Sequence, residues 1–71
     1  MNELERMKLF GIGKRVSLLP HLDRWMMGDR HGEIVGVGWM NTLAGRINAF
    51  KVKLDVSGKT MKFYPNDLEF H

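Results

Sequence analysis

Ile47-Asn48-Ala49-Phe50-Lys51-Val52-Lys53-Leu54-Asp55-Val56-Ser57-Gly58-Lys59-Thr60-Met61-Lys62-Phe63-Tyr64 is the stretch on which the fold turns. Apolar residues recur at every second position, the period of a half-buried strand and not of a helix. Phe50, Val52 and Leu54 share one face of a strand over Ile47–Asp55, and Ala49, Lys51 and Lys53 share the other. Ser57-Gly58 supplies a hairpin turn. Met61 and Phe63 then give a strand over Thr60–Tyr64 its inward face. A two- or four-residue turn around Ser57-Gly58 sets Lys53 opposite Lys62 and Lys51 opposite Tyr64, with both pairs facing outward. Like charges directly across a ladder repel.

Moving toward the N-terminus, Asn41–Arg46 reads as a loop and Glu33–Met40 as a strand. Gly36 and Gly38 of that strand share one face, where they permit a bend or the close approach of another backbone. Lys14–Leu19 is a further strand, stopped by Pro20. Residues 20–32 form a long polar connection carrying Trp25-Met26-Met27-Gly28, and Asp29-Arg30-His31-Gly32 has type I turn composition. Asn2-Glu3-Leu4-Glu5 has the form of a capping box. It predicts a helix over about residues 3–10, with Leu4 and Met7 on one face and Gly11 as its stop. A helix of two turns is marginal alone, so it either docks or frays. Toward the C-terminus, Pro65-Asn66-Asp67 is a single-turn break before a last strand, Leu68–Phe70.

These elements predict a helical leader and hinge over residues 1–13 and an all-β, five-stranded barrel over residues 14–71, its last strand pairing with its first. The expected inward set is Val16, Leu18, Val35, Val37, Phe50, Val52, Leu54, Met61, Phe63 and Leu68.

Within this frame the pattern resembles the SH3-like barrels of the KOW and Tudor type. The resemblance rests on Gly32-Glu33-Ile34-Val35-Gly36-Val37, Val52-Lys53-Leu54-Asp55, Ser57-Gly58-Lys59 and Tyr64-Pro65-Asn66-Asp67-Leu68-Glu69, and it spans residues 14–70. The segment Asp23-Arg24-Trp25-Met26-Met27-Gly28-Asp29-Arg30, with Ser57–Leu68, is similar to small proteins encoded by tailed phages. That second resemblance implies expression in a bacterial host cytoplasm and transfers no site residues.

Composition narrows the function. A chain of 71 residues has room for one domain, and one this small buries only ~60% of its unfolded surface. It holds no cysteine, so neither disulfides nor thiolate zinc sites are available. Eleven Lys and Arg against eight Asp and Glu give a net charge of +3, which permits an anionic partner without demanding one. No apolar run approaches the ~20 residues of a membrane span, and the acidic Glu3 and Glu5 are unlike a signal peptide. These features read as a cytoplasmic protein.

No catalytic motif or nucleotide fingerprint is present, and no cofactor is expected. His21 and His31 fall in or beside one loop near Asp23 and Asp29, but surface histidines explain them better than a metal does. The chain therefore reads as a non-catalytic binding module with two candidate surfaces. One is a protein-binding loop of Arg24, Trp25, Met26, Met27 and Arg30, since Trp and Met favour binding hot spots and adaptable contacts; its partner would be a host or phage protein. The other is a DNA- or RNA-binding face of Lys51, Lys53 and Lys62, with Tyr64 as a stacking platform. Four Phe, two Trp and one Tyr, mostly claimed by the core, argue against an extended stacking surface. The protein partner accordingly ranks first.

Overall fold

The computed structural model describes residues 2–71. Helix α1 (Glu3–Gly11) begins as the capping residues predict: Asn2 is extended and its side-chain oxygen accepts the Glu5 N–H at 2.9 Å. That bond satisfies one of the orphan donors of the first turn. The helix docks. Met7 enters the core, and Gly11 sits so close to Phe50 that a Cβ there would overlap the ring.

The strands β1 (Arg15–Leu18), β2 (His31–Thr42), β3 (Gly45–Leu54), β4 (Thr60–Phe63) and β5 (Leu68–Phe70) form one antiparallel sheet in the order β4-β3-β2-β1-β5. The last strand pairs with the first as expected, Val16 opposite Phe70 and Leu18 opposite Leu68. Among the described residues no ladder joins β5 to β4, so the sheet is open where the expected barrel would close. A single turn of 3-10 helix, Pro65–Asp67, carries the chain from β4 to β5.

One face of the sheet is the core: Val16, Leu18, Ile34, Phe50, Val52, Leu54, Phe63 and Leu68, joined by Met7 from α1. Val37 and Met61 pack half-buried against it. Val35 departs from the expected set. Ile34 is fully buried, whereas Val35 is 43% exposed. The pairing steps from Ile34 opposite Val52 directly to Gly36 opposite Lys51, leaving Val35 as the extra residue of a β-bulge. A single inserted residue shifts the alternation, which a strict period of two places on the wrong side.

Four local expectations are also corrected. Asn41–Arg46 is not an open loop: β2 and β3 continue to Thr42 opposite Gly45, and only Leu43-Ala44 turn between them. No non-glycine residue has positive φ among the described residues, and Gly45 takes the left-handed conformation that the turn needs (φ 111°). His31 and Gly32 belong to β2 and not to a turn. The long connection contains a short helix, α2 (Asp23–Met26). The hairpin register, finally, is displaced by two residues. Lys51 faces Lys62 and Lys53 faces Thr60, because the loop consists of Asp55-Val56-Ser57-Gly58, closed by the Leu54 N–H donating to the Lys59 carbonyl at 2.8 Å. A shift of two preserves the faces, so Met61 and Phe63 still turn inward.

Candidate functional site

The α2 loop is built differently from its expected role. Trp25 is half-buried and packs against the core, with the Arg30 guanidinium 3.8 Å above its ring centroid. Arg24 turns inward: its Nη2 lies 3.0 Å from Asp29 Oδ2, and both side chains are largely buried. The second Asp29 oxygen accepts the Ser57 N–H at 3.1 Å, so this ion pair ties the α2 loop to the β3–β4 turn. Arg24 and Trp25 are thus committed to structure. Met26 and Met27 remain outside, 75% and 69% exposed.

The lysine face is assembled more closely than the sequence implied. Lys51 on β3 and Lys62 on β4 are direct cross-strand neighbours, and Gly36 lies beside Lys51 on β2. A Cβ built on Gly38 would stand 3.0 Å from Lys51 Cε and 3.3 Å from Lys62 Cε, so both aliphatic stems converge above that glycine. The close approach that Gly36 and Gly38 permit is therefore made by lysine stems. Lys62 Nζ reaches past β3 to donate to the Trp39 carbonyl at 3.0 Å and lies 5.6 Å from the indole centroid. The Arg46 guanidinium covers the same indole at 4.2 Å. Lys53 stands two positions along β3, between Glu33 and Thr60. Among the described residues, Lys51, Lys53 and Lys62 have no carboxylate partner within ion-pair distance.

Tyr64 follows directly on β4, two residues beyond Lys62, and forms a concave pocket of about 430 Å³ with Ile47, Pro65, Asn66 and Asp67. Trp39, at 43% exposure, and Phe10, at 59%, are also surface aromatics, so the core claims fewer aromatic rings than expected. Trp39 and Arg46 went unnoticed in the sequence. Their signal, an aromatic and a cation on facing strands, becomes readable only once Trp39 is paired with Asn48 and Arg46 with Asn41.

Two polar clusters complete the surface. Ser17 Oγ lies 3.0 Å from His31 Nδ1 and also meets His71 Nε2. Neither imidazole hydrogen-bonds a carboxylate among the described residues, so the grouping lacks the acidic partner that orients a catalytic base. His21 Nε2 instead lies 2.9 Å from Asp67 Oδ1, which separates its role from that of His31. No three His, Cys, Asp or Glu side chains gather in a metal-holding group among the described residues. No helix among them is long and apolar enough to cross a membrane. Compared with family models, curated proteins and solved structures, the chain matches none.

Proposed function

We propose that this chain is a small SH3-like barrel that acts as a non-catalytic binding module, holding a nucleic-acid strand by its phosphates across Lys51 and Lys62. The strand order, with β5 beside β1, supports the barrel reading. The observation that carries the binding reading is the convergence of two like-charged stems above Gly38 with no carboxylate to neutralise them. Such a pair costs some tenths of a kcal/mol in the free protein. An anion seated between the ammonium groups removes that cost and gains charge-assisted hydrogen bonds. Lys53 extends the row more weakly because Glu33 stands opposite it. Arg46 and Trp39 add charge and a ring at the far end, and Tyr64 adds a second ring beside Lys62.

A second reading is supported by the exposure of Met26 and Met27. In it, a host or phage protein docks on the α2 loop, and the likeness to phage-encoded proteins implies a bacterial cytoplasm as the setting.

Binding of a labelled single-stranded oligonucleotide and of a duplex, measured from about 50 to 200 mM salt, tests the first reading. Two to three neutralised phosphates give a log–log slope of about −1.4 to −2 on a single strand. Replacing Lys51 or Lys62 with Gln lowers that slope by about 0.7 and leaves the fold intact. No binding at low salt by a folded protein removes the nucleic-acid reading. Retention of a partner protein that is lost with Met26→Ser and Met27→Ser would then favour the second.

A further inference from the structure

The pocket beside Lys62 has a composition that the phosphate-binding reading leaves unused. It is lined by Ile47, Tyr64 and Pro65, with Asn66 and Asp67 as its polar residues. At about 430 Å³ it falls within the size range of small-molecule sites. Position in the sheet joins it to the lysines. Ile47 lies on the same face of β3 as Lys51, four residues away, and Tyr64 lies two residues past Lys62, just beyond the end of β4. On the phosphate reading, a strand held at the two ammonium groups would run from there toward the pocket beyond the end of β4.

We infer that this pocket takes one unpaired nucleobase of the bound strand, and that it selects bases carrying an exocyclic amino group. The inference rests on the phosphate reading for the path of the strand, while the pocket's chemistry stands on its own residues. Tyr64 supplies an aromatic ring and Pro65 an apolar neighbour in the lining, and every base has a π face to offer an aromatic ring. Asn66 supplies both a donor and an acceptor. His21 already engages Asp67 Oδ1, which leaves the second carboxylate oxygen to accept an N–H. An acceptor-only group is well matched to the amino groups of cytosine, adenine or guanine, whereas the one donor of thymine or uracil, N3–H, is flanked by two carbonyls that the carboxylate repels. In a duplex the base is held in the stack and cannot enter the pocket, so the site requires a single strand.

The test compares oligo(dC), oligo(dT) and an abasic oligonucleotide of equal length at low salt, with wild type and Asn66→Ala. Asn66 is exposed in the 3-10 turn, so its truncation leaves the fold intact. The expected result is oligo(dC) binding at least about fivefold tighter than oligo(dT), a preference that Asn66→Ala reduces without altering the salt slope. Equal binding of all three strands with the salt slope intact overturns the pocket while the phosphate reading stands. If no strand binds, the phosphate reading fails, and the pocket is then judged by free cytidine and thymidine in amide chemical-shift titrations. Saturable shifts at Tyr64, Asn66 and Asp67 with cytidine and weaker ones with thymidine uphold it; shifts with neither nucleoside, or equal shifts with both, overturn it.

Discussion

Ile34 and Val35 are adjacent aliphatic residues of similar β propensity, yet one is sealed in the core and the other stands in solvent. The cause is the bulge between the two β2 registers, which spends one residue without a cross-strand partner. Truncation separates them. Ile34→Ala should cost about 2–5 kcal/mol, a large share of what so small a domain possesses. Val35→Ala should stay within about 0.5 kcal/mol. Urea denaturation of the two variants decides the matter, and equal losses would mean that Val35 is buried after all. At this scale the sequence was legible wherever alternation ran unbroken: Phe50, Val52, Leu54 and Phe63 are all buried. It misled at Val35 because a bulge leaves no mark in residue type.

Among the elements, the α2 loop and the β3–β4 turn are held together by a single carboxylate. Asp29 receives Arg24 on one oxygen and the Ser57 N–H on the other. Arg24 Nε is buried without a partner, so the guanidinium is already incompletely satisfied. Removing one member of a buried pair strands the other, and Arg24→Ala should cost about 3 kcal/mol or more. Arg24→Met together with Asp29→Leu should recover much of that loss, because the desolvation of both charges disappears. Thermal melts of the single and double variants measure this. A loss below 1 kcal/mol for Arg24→Ala would return Arg24 to the surface role its sequence position suggested. Element existence was largely readable here, because Asn2 and Pro65 act within a few residues of their own position. The partner of Arg24 was not, because Asp29 looks like the first residue of a turn until Gly32 is seen paired with Leu54.

For the molecule as a whole, the exposed Arg15–Asp55 pair links β1 to the turn beyond β3, and its bidentate contact holds the Asp55 carboxyl below its ordinary value of 3.8. A carboxylate depressed in the folded state contributes stability above the unfolded value and loses it as pH falls through the folded one. The stability difference between wild type and Asp55→Asn should therefore be constant near neutrality and shrink as pH falls below about 4. Because the pair is exposed, raising the salt should weaken that dependence. A difference that stays unchanged at acid pH would remove the pair from the account. By itself the sequence determined the strand count, the inward faces of β3 and β4, the capped helix and the closing 3-10 turn. These follow from periods and caps that operate within a few residues. Tertiary structure alone decided that Lys51 meets Lys62, that both lie over Gly38, and that Trp25 turns inward. It alone gathered Ile47, Tyr64 and Asn66 around one pocket. Each of these depends on register, and register depends on how long a turn is and where a bulge falls. Those two quantities are set by the packing of the entire sheet, not by the residues that end up facing one another.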